Sequence, residues 1–299
     1  MIRRVWLVSA LILLPAACAP VPTEPGNTPD VIDPVPSGAT KTWPDETVTG
    51  VPPGTELTPW DEDCTITEPG TVIDARLVDC DLRIRASDVV ITRSLINGIV
   101  NVRQPEDGAS FTITDSQVNT GERIATGIGN GNFTATRVNV TGGSRSVYCQ
   151  QDCTVIDSYL HAQAGDPEGK AHLSGIRMGQ NTVLKGNNII CEGKRIPPAS
   201  GCSAALTGYG DFAPVRNNLI EGNLFRSGTA SFCAFGGSTR DKKFSNDAGD
   251  VRFVDNVFER GESGHCGILA AIEAFDSEAP GNVWEGNVYE DGEEVAPRN

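Results

Sequence analysis

Residues 111–118 read FTITDSQV, and residues 89–96 read VVITRSLI. Both begin with apolar or β-branched alternation and then reach a small polar residue flanked by apolar ones. The pattern returns at 133–140 (FTATRVNV), 153–160 (CTVIDSYL), 182–189 (TVLKGNNI), 218–225 (NLIEGNLF), 251–258 (VRFVDNVF) and 282–289 (NVWEGNVY). Aligned on the small slot, the positions are Ser94, Ser116, Val138, Ser158, Asn187, Asn223, Asn256 and Asn287, spaced by 22, 22, 20, 29, 36, 33 and 31 residues. Three residues before the slot stands Ile91, Ile113, Ala135, Val155, Leu184, Ile220, Phe253 or Trp284. Two residues after it stands Ile96, Val118, Val140, Leu160, Ile189, Phe225, Phe258 or Tyr289. One strand pattern per unit at a period of 20–50 residues is the signature of a stacked solenoid. No helical run intervenes, so the expected fold is all-β, a parallel β-helix of about nine coils. An earlier unit around Val72, Ala75 and Leu77 supplies the first coil.

The slot residues read as a structural ladder, with stacked Asn or Ser side chains bonding along the axis at a turn. Before them stand Arg93, Asp115, Arg137 and Asp157. Neighbouring coils lie about 4.8 Å apart, so alternating signs predict a modest salt-bridge ladder.

Each coil carries a second strand upstream of the slot: LRI (82–84), VNV (100–102), TGI (126–128), SVY (146–148), GIR (175–177), AAL (204–206), SFCAF (231–235) and ILAAI (268–272). Alternation with Ile84, Val102, Ile128, Val147 and Ile176 inward predicts Arg83, Asn101, Gly127, Tyr148 and Arg177 outward. From Ser158 onward the units lengthen at two places only. Segments 162–172, 191–202 and 260–266 enter before this strand, and 208–214, 236–250 and 273–281 after it. Two rows of loops flanking one outward face predict a groove for an extended polymer.

The N-terminus reads as a targeting segment. Arg3 and Arg4 form a basic start, 5–14 an apolar core, and Pro15-Ala16-Ala17-Cys18 a processing site. Cys18 is the expected lipidated residue of a lipoprotein-type signal over 1–18, which would tie the chain to a membrane; cleavage after Ala19 is the alternative. The apolar run is too short for a transmembrane helix. Residues 19–53 carry nine prolines and predict a disordered tether, with the β-helix over 54–299. Apart from Cys18, eight cysteines fall into near pairs: Cys64 and Cys80, Cys149 and Cys153, Cys191 and Cys202, Cys233 and Cys266. Disulfides in an exported chain are the expectation, and zinc the weaker reading. A net charge of −15 argues against nucleic acid as a partner.

On the coil pattern, residues 60 to 292 resemble the pectate-lyase-like superfamily of right-handed, single-stranded parallel β-helix proteins. The whole chain is similar to a group of exported actinobacterial β-helix proteins without assigned activity. The superfamily holds lyases, glycoside hydrolases, epimerases and non-catalytic surface proteins, so the resemblance implies fold more than activity. Of the polygalacturonase set, Asp-Asp and Gly-His-Gly are absent, with only a partial echo at Gly264-His265-Cys266-Gly267. The alternating charges do not gather the carboxylates of a calcium-dependent lyase, and no metal or cofactor is expected. His172-Leu173-Ser174-Gly175-Ile176-Arg177 resembles a His-x-Asp-Gly-Ile segment of carbohydrate-active β-helices, with Ser174 in place of the acid. A lyase needs a base and positive charge for an enolate-like intermediate. A hydrolase needs two carboxyl groups a few ångströms apart. The candidate catalytic residues are therefore His172, Arg177 and Asp211, with Tyr148, Lys170, Arg83 and Asn101 as substrate-binding residues. Asp166 and Glu168 are further acids in the same loops. A polysaccharide lyase or hydrolase and a non-catalytic glycan-binding or structural surface protein both remain open.

Overall fold

A computed structural model describes residues 42–299. The signal segment, Cys18 and most of the proline-rich stretch lie outside the described residues. The described chain is all-β, with two three-residue helical turns at Pro105–Asp107 and Ser245–Asp247. Its strands form two long parallel sheets, consistent with a solenoid. The first has ten strands, from Thr58–Pro59 through Arg76–Val78, Gln117–Asn119 and Leu224–Phe225 to Val288–Tyr289. The second has sixteen and is folded along its length, because Arg145–Ile156 and His172–Lys185 run through both of its flanks. Its early flank includes Leu82–Ile84, Val100–Val102, Thr126–Gly129, Gly201–Thr207 and Phe232–Phe235. Its late flank includes Val89–Thr92, Phe111–Thr114, Gly131–Thr136, Arg216–Glu221 and Gly249–Val254.

The repeat identified in the sequence is the unit of this architecture. Phe111 pairs in register with Val89 and with Phe133, one unit earlier and one later. The apolar positions before the slot stack inside: Ile91, Ile113, Ala135, Val155, Leu184, Ile220 and Phe253 are all 0% exposed. Those after the slot do the same, from Ile96 and Val118 to Phe225 and Phe258. Continuous burial of this kind, at about 25 cal/mol per Å² of apolar surface, is what favours the stack over the extended chain. Toward the C-terminus the layers fill with rings, Phe225 and Phe258 lying 5.0 Å apart and Phe253 and Trp284 5.2 Å apart. The last layer is closed by the chain end: Trp284 Nε1 donates to Val295 O at 2.7 Å, and Val295 is buried.

Between the late flank and the ten-stranded sheet each unit turns at one left-handed residue directly before the slot. Arg93, Asp115, Arg137, Asp157 and Asp255 have φ of 48–54°, and Gly186, Gly222 and Gly286 take the same place. The slot side chain then satisfies backbone that the turn leaves unpaired. The N–H of Ser94 donates to Ser116 Oγ at 3.0 Å, and that of Asn223 to Asn256 Oδ1 at 3.0 Å. Asn223 Nδ2 also donates to Leu184 O at 3.0 Å and to Asn256 Oδ1 at 3.0 Å, so the asparagines bridge three successive units. The charged residues before the slot form separate pairs and not one continuous ladder. Arg137 Nε bonds Asp115 Oδ1 at 2.6 Å, whereas Arg93 reaches back to Asp74. Asp74 precedes its own turn residue, so Arg93 is already occupied on that side. Exposed pairs of this kind contribute about 0–1 kcal/mol each.

Residues 42–53, within the stretch read as tether, lie along the ten-stranded sheet. Gly50 N–H donates to Arg137 O at 3.0 Å, and Asn188 Nδ2 to Pro44 O at 2.8 Å. All four expected cysteine pairs are bridged, with Cα separations of 5.7–6.4 Å. Disulfides of this number favour an oxidising, extracytoplasmic setting.

Candidate functional site

Register builds the floor of the groove on the early flank. Arg83 pairs with Asn101, Asn101 with Gly129, Tyr148 with Arg177, and Arg177 with Thr207. The outward row expected from alternation therefore exists, with one correction. Gly129, beside Tyr148, occupies the place assigned to Gly127. A Cβ on Gly127 would meet Val140 Cγ1 at 2.8 Å, so that position faces the interior.

The reason is a corner. Where the chain enters this flank, two consecutive positions are buried: Ser146 with Val147, Gly175 with Ile176, Ala205 with Leu206. The first of each pair is small because it abuts the neighbouring sheet; a Cβ on Gly175 would lie 2.7 Å from Ile189 Cγ2. Gln163 fastens the corner, its Nε2 donating to Ser146 Oγ at 2.9 Å and to Ile190 O at 3.1 Å. The doubled step puts a second row beside the first, Arg145, Ser174, Ala204 and Phe232 in register, of which Ser174 and Ala204 are themselves covered.

Arg177 is the best-held cation on this floor. Its side chain is 12% exposed, and Nη2 bonds Asp211 Oδ2 at 2.8 Å. Its guanidinium carbon lies 4.6 Å from the Phe212 ring centroid, 5.7 Å from Tyr209 and 5.9 Å from Tyr148. Lys242 shares the same acid, Nζ to Oδ1 at 3.4 Å. Arg145 lies against Tyr148 at 5.7 Å and donates to Ser174 Oγ at 3.1 Å and Thr126 Oγ1 at 3.4 Å. Among the described residues no carboxylate pairs with Arg145. Burial, then the neighbouring Arg177 charge, lower its guanidinium to a pKa of about 10. Burial pushes the Tyr148 and Tyr209 phenols up, against the pull of Arg177 on each. Two cations thus share Asp211, and a third, Arg145, stands beside them without a carboxylate, in a chain whose net charge is −15.

His172 stands on the same strand as Arg177 but five residues away, about 16 Å along it. It is exposed and lines a cavity of about 290 Å³ with Ser200, Ser203, Tyr209 and Phe232. Tyr209 joins the two regions, 5.7 Å from Arg177 and 4.6 Å from Phe235. Lys170 Nζ bonds Glu168 Oε2 at 2.8 Å on an exposed loop tip. Asp166 accepts N–H bonds from Glu168, Lys170 and Ala171 and so organises that loop. His265 bonds Ile268 O at 3.3 Å in the turn closed by Cys233–Cys266. Arg83 and Asn101 extend the outward row away from Arg177. The structure therefore brings together Tyr148, Arg177 and Asp211 and leaves His172 and Lys170 apart from them. It adds Arg145, Tyr209, Phe212 and Lys242. The signal that marks Arg145 in the sequence is a charged residue at a parity that simple alternation assigns to the core.

No family model, curated protein or solved structure matches the chain.

Proposed function

We propose that this is an exported, single-stranded right-handed parallel β-helix protein of about nine coils, of the pectate-lyase-like kind, lipid-anchored through Cys18 or secreted. Its groove takes an acidic extracellular polysaccharide. The observation that carries this reading is Arg145, a half-buried cation without a carboxylate, beside Arg177. A desolvated charge left unpaired costs several kcal/mol, and a bound anion would compensate it. The flanking rings of Tyr148, Tyr209 and Phe212 suit sugar packing, and the loops on both sides suit an extended guest.

Between the open activities, β-elimination is better supported than hydrolysis. Hydrolysis needs two carboxyl groups across the scissile bond. Among the described residues on this floor Asp211 stands alone, and Arg177 and Lys242 both engage it. For elimination, Arg145 and Arg177 would neutralise the uronate carboxylate and the enolate-like charge, with Tyr148 the nearest proton carrier. Binding without turnover uses the same residues. The test is incubation with a panel of acidic and neutral polysaccharides, followed by ultraviolet absorbance of unsaturated ends, reducing-end assay and calorimetry. Acidic polymers are expected to bind, and Arg177→Ala to abolish binding with the fold intact. Indifference to every acidic polymer refutes the reading.

A further inference from the structure

Beyond the cationic end, the groove deepens into a cavity bordered by the loop 191–202 and by Thr229, Ser231 and Ile268. We propose that this cavity is a second subsite that holds a neutral sugar ring, so that the groove reads an acidic unit and a neutral unit within one polymer. The inference rests on the saccharide reading of the groove and adds the composition of the chain it selects.

The cavity differs in chemistry from the floor beside Arg145 and Arg177. Its interior is aromatic and hydroxylic: Phe232 and Phe235 meet edge to face at 5.1 Å, and Tyr209 packs on Phe235 at 4.6 Å. Ile268, 60% exposed, continues the apolar surface at the rim. The C–H face of a pyranose packs against such rings, and its hydroxyls need partners at the edge. Those partners are Ser200, Ser203, Thr229 and Ser231. Ser200 is the decisive one. It is 1% exposed, and its Oγ has no hydrogen-bond partner among the described residues. Buried hydroxyls are nearly always paired, and an unpaired one costs about 1–3 kcal/mol. A sugar hydroxyl in the cavity would supply the missing bond. At about 290 Å³ the space suits a single ring, at the small end of ligand sites. Arg195 is the cation on its wall, but that side chain is exposed, so its charge remains solvated.

The spacing matches one continuous ligand. Arg145, Ser174, Ala204 and Phe232 lie in register across four neighbouring strands. Three steps of about 4.8 Å put Phe232 about 14 Å from Arg145 along the axis. Ser174 and Ala204 between them are small and buried, Arg145 bonding over the first and Phe235 packing beside the second, so a ligand would cross on those side chains. Tyr209 touches both ends. A polymer lying here is oriented, with a carboxylate at the arginines and an uncharged ring on Phe232.

The test is calorimetric titration of the disulfide-intact protein with size-matched fragments of hyaluronan or chondroitin, which alternate acidic and neutral units. Oligogalacturonate, all acidic, and maltooligosaccharide, all neutral, are the controls. At least one alternating fragment is expected to bind at least ten-fold tighter than oligogalacturonate. Phe232→Ala and Ser200→Ala should each erase that advantage and leave oligogalacturonate binding unchanged. Ile268→Glu, at an exposed rim position, should do the same without disturbing the core. Equal affinity for alternating and all-acidic fragments, or pocket variants that weaken both alike, overturns the second subsite while the saccharide reading stands. Failure of all the acidic fragments to bind overturns both.

Discussion

The Arg145 guanidinium lies 5.7 Å from the Tyr148 ring although the two residues stand three apart on one strand. Regular alternation sends residues so spaced to opposite faces. Ser146 and Val147 are both buried between them, so the strand takes two inward steps and Arg145 emerges beside Tyr148. The electropositive end of the groove is a product of that corner.

Replacing Arg145 by methionine should separate function from stability. The variant keeps the stem and removes a desolvated charge that no carboxylate compensates. Buried charges replaced by apolar groups are often neutral or stabilising by about 1–4 kcal/mol. Loss of the bonds to Ser174 and Thr126 offsets part of this. We expect a net gain of about 1 kcal/mol, a midpoint rise of about 2–4 °C, and at least ten-fold weaker binding of oligogalacturonate. Thermal unfolding and calorimetry on the same preparations check both; a destabilised variant with undiminished binding contradicts the role given to Arg145.

Asp211 competes with any anionic guest for Arg177. Asp211→Asn removes the competing charge while retaining the shape of the side chain. Binding of acidic oligosaccharides is expected to tighten by about three- to ten-fold. Weakened binding would show that Asp211 instead holds Arg177 in its working position.

The pH dependence follows from Arg145. Its folded pKa, lowered to about 10, lies below the unfolded value, so the charged form is disfavoured in the folded state. Between these two values the unfolded chain binds more protons, and the Arg145 contribution makes stability rise with pH in that window. Anion binding has the opposite trend. It needs the guanidinium, so affinity should be level at neutral pH and fall as pH passes about 10. The difference between wild type and Arg145→Met isolates both effects. Affinities that decline equally in the two proteins would remove Arg145 as the cause.

The asparagine ladder predicts a graded series. Asn223→Ala leaves the N–H of Asn187 without its acceptor at 3.0 Å and Leu184 O without its donor at 3.0 Å. Unpaired buried groups cost about 1–3 kcal/mol each, so a loss of about 3 kcal/mol or more is expected. Asn223→Ser, the residue that fills the slot at Ser94, Ser116 and Ser158, should lose less. Denaturant unfolding gives the values; equal losses would mean that the ladder acts through shape and not through hydrogen bonds.

The stacked core was legible because period and alternation are local properties. A slot every 20–36 residues with apolar partners at fixed offsets identifies the buried rows from Ile91 to Phe253 without coordinates. Cysteine pairing was legible too, since each bridge joins sequence neighbours, Cys149 and Cys153 even standing on one strand. The row through Arg83, Asn101, Tyr148 and Arg177 followed from the same two-residue period. What the sequence determined by itself is therefore whatever repeats. The site needed tertiary structure because it lies where the repeat is broken. The corner beside Arg145 depends on Gly127 and Gly175 abutting Val140 and Ile189 of the neighbouring sheet, a contact that the two-residue period does not specify. The meeting of Arg177 with Asp211 and Phe212, and the distance that separates both from His172, depend on how far each inserted loop folds back. Neither period nor composition encodes that length of reach.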